Sequence, residues 1–340
     1  MMKVDASLMF DPQRNGAIAA ELEQLGFDGA YTFEGPHDAF MALAAAATRT
    51  RRLELMTSVA IAFARNPMNI AYLANDLQYL AAGRFTLGLG SQIRAHIERR
   101  FSMPWSRPAA RMREAVNAIR SIWSSWDTGD RLEFTGEFYT HTLMAPTFSP
   151  GPNPHGRPPI YLAGVGPLMT EVAAEVGDGY FLHPFHSAES FDVLSRPALE
   201  RGLERAGRKR GDLAVSAQVI VATGADEQAY DTALFSARSQ IGFYASTPAY
   251  RPVLEVHGWQ ELQPKLMEMS KTGKWVEMAG LIDDEMLSTF AVTGSVTEVA
   301  RKLASRCRGK MDRVSPVIYQ QDTALLGDLL TALRTALAES

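Results

Sequence analysis

The sequence predicts a (β/α)8 barrel. Three observations carry that expectation: eight short, strongly apolar stretches read as strands, a helical stretch follows each, and no linker divides the 340 residues. Such strands suit a parallel sheet buried under helices on its faces. A count of eight favours a closed barrel over an open doubly wound sheet, which is the alternative.

In order, residues 4–10 make the first strand, and Asp11-Pro12 opens a helix that ends at Leu25-Gly26. Residues 29–33 are the second strand, with an alanine-rich helix over 38–48. Residues 53–61 are the third, with 67–80 as its helix, and 85–89 the fourth, followed by a long helix over 107–126 with Pro108 near its start. Residues 160–163 and 180–182 are the fifth and sixth strands, with helices over 168–176 and 189–206. Residues 213–222 and 314–319 complete the set before a last helix over 325–337. The chain reads as one domain over residues 1–340. Two stretches exceed the repeat, at about 128–157 and 243–286, and in a barrel such excess chain is expected as excursions over the C-terminal face, where active sites form.

Composition sets the class. With 46% hydrophobic and 21% charged residues and a net charge of -4, this is an ordinary globular composition with no electrostatic case for a nucleic-acid partner. Arg99-Arg100 and Arg208-Lys209-Arg210 are isolated and read as solvated faces. Cys307 is the single cysteine, which excludes an internal disulfide and a multi-thiolate zinc site; in ARKLASRCRGK it reads as helix filler. No signal peptide and no membrane span is visible, so a reducing cytoplasm is expected.

Small turns end two neighbouring strands. In Ala163-Gly164-Val165-Gly166-Pro167 the fifth strand passes to a helix with almost no side chain between them. Exposed N–H groups and the positive end of a helix dipole suit a phosphate there, and the competing reading is a tight turn without a ligand. The spacing is not GxGxxG, and no early strand feeds the turn, which argues against a Rossmann cofactor site. FTLGLGSQI ends the fourth strand in Gly88-Leu89-Gly90-Ser91-Gln92, and Ser91 and Gln92 can donate hydrogen bonds to a phosphate or a ring carbonyl.

Beyond the second strand, Thr32-Phe33-Glu34-Gly35-Pro36-His37-Asp38 gathers three ionisable groups. His37 is the first candidate for proton handling, with Glu34 as its orienter or an alternate acid. The competing reading packs His37 on the barrel rim while Asp38 caps the next helix. After the third strand, Ser58-Val59-Ala60-Ile61 and Ala64-Arg65-Asn66-Pro67 read as barrel packing and a capped helix. His96 either faces the site or covers a helix. His183 and His186, in LHPFH, read as a polar wall or as structural histidines rather than a metal pair. Phe243, Tyr244, Trp259 and Trp275 line an apolar pocket, or build a small core or a dimer surface.

Four segments, GFDGAYTFEGPHDAF, LMTSVAIAFARNPMNIAYLANDLQYLAAGRFTLGLGSQIRAHIERRF, PWSRPAARMREAVNAIRSIW and PPIYLAGVGPLMTEVAAEVGDGYF, resemble in order the luciferase-like monooxygenase superfamily. The resemblance is to the subgroup labelled coenzyme F420-dependent oxidoreductases and covers nearly the whole chain. It implies a (β/α)8 barrel, an insertion over the mouth and a homodimer. It further implies that Gly164, Val165 and Gly166 bind cofactor phosphate, and that a non-proline cis peptide around Ser58, Val59 and Ala60 lies behind the ring. Ser91 and Gln92 fall at cofactor contacts, with His96 a weaker carry-over. Relatives commonly place aspartate directly before histidine after the second strand, whereas here His37 precedes Asp38. The implied activity is hydride transfer between F420 and a small organic substrate. The alternatives are monooxygenation with reduced FMN and molecular oxygen, or a non-catalytic flavin-binding barrel.

Overall fold

The computed structural model describes residues 2–8, 11–319 and 322–339. Its eight barrel strands are β1 (Lys3–Ser7), β2 (Gly29–Thr32), β3 (Glu54–Thr57), β4 (Phe85–Gly90), β5 (Ile160–Ala163), β6 (Gly179–Leu182), β7 (Ala214–Ala222) and β8 (Arg313–Val317). Each pairs in parallel with its successor, and β8 returns to β1 with Lys3 opposite Arg313 and Val4 opposite Val314. These are the eight strands legible in the sequence, with shifted ends. The first stops at Ser7 rather than residue 10, and Met9 and Phe10 lie outside the described residues.

The surrounding helices are α1 (Asn15–Leu25), α2 (Ala39–Ala47), α3 (Pro67–Leu80), α4 (Pro108–Thr128), α5 (Pro167–Val176), α6 (Arg196–Arg205), α7 (Glu227–Ala245), α8 (Val296–Cys307) and α9 (Thr323–Ala338). Local chemistry sets their starts. Asp38 caps α2 by accepting from the Phe40 N–H at 2.8 Å, and Asn66 caps α3 by accepting from Asn69 at 3.0 Å, with Pro67 supplying a preset first turn. Cys307 is buried on α8, and burial pushes its thiol up to about 11, which fits a packing role.

The third predicted strand, residues 53–61, is interrupted. After Thr57 the chain pairs with β4 again only at Ala60–Ile61, opposite Leu89 and Gly90. Between Met56 opposite Thr86 and Ala60 opposite Leu89, it advances four residues against three on β4. One residue is therefore extruded as a bulge. The Ser58-Val59 peptide within it is cis.

Charge fills the lower barrel. Arg313 donates to both carboxylate oxygens of buried Asp5, at 2.8 and 2.5 Å, and also pairs with Glu54. Above it lies an apolar layer of Tyr31, Met56 and Phe181, with Val59, Tyr161 and Ala163 packed on them. The main core sits between the strands and the helices.

The second excursion is longer than residues 243–286. It begins with α7, capped by Asp226, and runs to Phe290 before Ala291–Thr293 pairs beside Ile220–Ala222 of β7. The buried face of α7 is mostly alanine (Ala233, Ala237, Ile241, Ala245), a faint apolar stripe in the sequence. These residues join Leu254, Leu266, Met278 and Phe290 in a separate small core that packs on Phe185 and Ile220. The first excursion lies along the barrel flank rather than across the mouth. Asn153 donates to the Asn75 carbonyl of α3 at 3.0 Å, and Glu114 of α4 accepts three backbone N–H bonds from Glu137, Phe138 and Tyr139 at 2.7–2.9 Å. It joins a helix end to a strand start, so it sets out from the face opposite the mouth and nears the rim only around residues 136–139.

Candidate active site

The loop after β2 is clamped to the bulge after β3. The Glu34 N–H donates to the Val59 carbonyl at 3.1 Å, and the Glu34 carboxylate accepts from the Ile61 N–H at 2.9 Å and from Arg65 at 2.6 Å. The other Arg65 nitrogen reaches Asp38 at 2.6 Å. Glu34 thus anchors the loop, and no hydrogen bond joins it to His37, which stands exposed. Asp38 holds both the helix cap and one arm of Arg65. The cap on α2 is legible in the sequence, whereas the role of Arg65, which ties the loop together, is not, because its local context is that of an ordinary helix start.

The segments expected to hold a cofactor fall side by side. β3, β4 and β5 are consecutive in the barrel, so the Ser58–Val59–Ala60 bulge, the Ser91–Gln92 turn and the Gly164–Val165–Gly166 turn form one arc at its C-terminal end. Glycine at position 90 leaves room for the bulge, since a Cβ there would stand 2.6 Å from the Val59 side chain and force it to shift. Ser58 is fixed from across the barrel by the Gln218 amide of β7, which donates to its hydroxyl at 3.0 Å. Gln92 holds φ at 58°, and the Ser91 hydroxyl donates to its carbonyl at 3.1 Å, a bond that a rotation of the hydroxyl releases.

Gly166 precedes α5 with φ at 85°, a conformation that side chains resist, and a Cβ built there meets no protein atom within 4 Å. Among the described residues no side chain caps α5, its first turn holds no acid, and Pro167 occupies its first position. The next N–H groups of that turn and the helix dipole consequently lie open beside an empty margin. The turn itself is rigid: Tyr180 donates to the Gly164 carbonyl at 2.9 Å, and Thr170 donates to the Gly166 carbonyl through its N–H at 3.2 Å and its hydroxyl at 3.0 Å. These features fit an anionic group on a cofactor.

The opposite side is aromatic. His183, the first residue beyond β6, stacks on Tyr250 with centroids 4.6 Å apart and meets Tyr244 edge-on at 4.6 Å. Burial pushes the His183 imidazole down to about 3, which leaves it neutral at physiological pH. His186 donates through Nδ1 to the His183 carbonyl at 2.8 Å and is buried, a structural placement. His96 is exposed on a short helix, Arg94–Arg99. Tyr31, Gln218 and the pairing of His183 with Tyr250 escaped sequence reading, because nothing local marks a residue whose partner lies on another strand or in an excursion.

The strands close into a (β/α)8 barrel with a glycine-lined arc at its mouth. Residues 2–312 match the family described as luciferase-like monooxygenase, and the chain belongs to that family. It is 52% identical over 316 residues to an uncharacterised protein of Mycobacterium tuberculosis, covering 93% of both chains. It is 33% identical over 214 residues to an F420-dependent glucose-6-phosphate dehydrogenase of Nocardia farcinica, across 58% of this chain and 61% of that one. Its fold is similar to that of the coenzyme F420-dependent tetrahydromethanopterin reductase of Methanopyrus kandleri, with a TM-score of 0.80 at 19% identity over 97% of each chain.

Proposed function

We infer that the protein is an oxidoreductase that uses coenzyme F420 to move a hydride to or from a small organic substrate. The observation that carries this reading is the arc of three adjoining segments at β3, β4 and β5, ending in an uncapped helix N-terminus at Gly166. The F420 dependence named for the Nocardia and Methanopyrus enzymes supports the choice of cofactor. When bound, the deazaflavin supplies the hydride chemistry.

The chain's own residues do the rest. The turn at Gly164, Val165 and Gly166 receives phosphate, with Ser91 and Gln92 as further donors. Ser58, Val59 and Ala60 back the ring. Glu34, through Arg65 and the Ile61 N–H, holds the β2 loop in place, and His37 on that loop moves the substrate proton.

The test is a pair of absorbance titrations of the purified protein, one with F420 and one with FMN. Saturable F420 binding is expected, and tight FMN binding without F420 binding overturns the cofactor choice in favour of reduced-flavin monooxygenation. For the proton, His37→Gln should leave F420 affinity intact, lower turnover and remove one limb of the pH–rate profile; an unchanged rate and profile would reject His37.

A further inference from the structure

The aromatic wall contains a hydroxyl group with a free proton. The Phe185 N–H donates to His183 Nδ1 at 3.1 Å, so Nδ1 carries no hydrogen and the proton of the neutral ring sits on Nε2. That Nε2–H points at the Tyr250 hydroxyl, 3.0 Å away, and makes the phenol oxygen an acceptor. The hydrogen of Tyr250 is left over, and among the described residues no acceptor receives it. Stacking of the two rings holds the phenol in place.

The pair belongs to a group that crosses the mouth. Tyr244 packs against both members, and its phenol lies near those of Tyr31, on β2, and Tyr319, just past β8. Tyr31 in turn packs in the layer with Val59 of the β3 bulge. The group therefore faces the cofactor arc from the β6, β8 and β2 side. No arginine or lysine stacks on or bonds to His183, Tyr244 or Tyr250 among the described residues. Burial keeps the phenols protonated, with Tyr244 pushed up to about 12 and Tyr250 pushed up further. The wall is uncharged and aromatic, and the Tyr250 hydroxyl on it is a directed donor.

We propose that Tyr250, oriented by the Nε2–H of His183, donates a hydrogen bond to a carbonyl or hydroxyl oxygen of the substrate, and that the substrate is a neutral molecule with an apolar, flat body. Tyr250 is the contact residue and His183 its positioning residue. The assignment rests on the oxidoreductase reading and names its substrate class: the oxygen held by Tyr250 is the one whose carbon gives or takes the hydride.

Acetophenone, ethylbenzene and benzoate serve as probes, matched in shape and differing in a neutral oxygen, no oxygen and a charge. Their binding to the F420-loaded full chain is measured by ligand-observed NMR, with F420 affinity titrated separately. Wild type should prefer acetophenone over ethylbenzene by about tenfold, a margin set by one desolvated hydrogen bond, and should bind benzoate more weakly. Tyr250→Phe should erase the preference while leaving ethylbenzene and F420 affinities unchanged, which also shows that the fold is intact. His183→Phe, which keeps the stack, should reduce the preference, and in wild type the His183 ¹⁵N signals should report an unprotonated Nδ1. A preference that survives Tyr250→Phe, no preference in wild type, or tighter binding of benzoate overturns the assignment. Failure of wild type to bind F420 while the apo-protein keeps the acetophenone preference overturns the cofactor reading instead.

Discussion

At Gly166 the backbone conformation and the space beside it make one demand. A positive φ costs a side chain about 1–2 kcal/mol, and a leucine there would also project into the open margin beside α5. Gly166→Leu should therefore lose a small amount of stability by urea denaturation and a much larger fraction of its F420 affinity. A folded variant with unchanged affinity removes the turn from the cofactor site. His183 supports a second prediction. Unfolded histidine takes up a proton as pH falls through its ordinary value of 6.5, whereas burial delays uptake in the folded protein to about 3. His186 is also lowered, by burial and by neighbouring Arg306. The His183 contribution is complete above pH 6.5 and drains as pH falls from there toward 3, by at most about 1.4 kcal/mol per pH unit, and His186 adds a loss of the same sign. The melting temperature of His183→Phe should fall less between pH 7 and pH 4 than that of wild type; parallel curves would contradict the buried neutral state.

The elements show what a single sequence makes legible and what it hides. Strands were readable because a parallel barrel buries both faces of each and leaves short apolar runs. The bulge after β3 was hidden inside one such run, since register is set by pairing with Leu89 and Gly90 rather than by residues 53–61 themselves. The helix α7 was hidden because alanines bury its face. Of the site, the glycine turns announced themselves by composition, while the Glu34–Arg65 clamp and the His183–Tyr250 pair join residues 31 and 67 positions apart. The same holds for Asp5 and Arg313, 308 positions apart, which tie β1 to β8 at the seam where the barrel closes. Removing one partner leaves the other charge buried and unpaired, so Arg313→Met should cost about 3–5 kcal/mol in chemical denaturation. The paired change Asp5→Leu with Arg313→Met should recover a large part of that loss. A double variant no more stable than the single one would show that packing, not charge, closes the seam.

At the scale of the whole molecule, the barrel mouth has two chemically different sides. One arc, from β3 to β5, offers backbone, small side chains and a helix N-terminus; the other side, built from β6, β8, β2 and the excursion after β7, offers aromatic rings and neutral hydroxyls. The excursion carries its own core on Phe185 and Ile220, so Tyr244 and Tyr250 are held over the mouth by packing that is independent of any ligand. The most direct test of this division is a crystal structure of the F420 complex. The cofactor phosphate is expected at the open first turn of α5 beside Gly166, with the ring against Ser58, Val59 and Ala60 and its free face toward Tyr250. A phosphate bound elsewhere, or a ring lying on the aromatic side with the β3 bulge uncovered, would contradict the account.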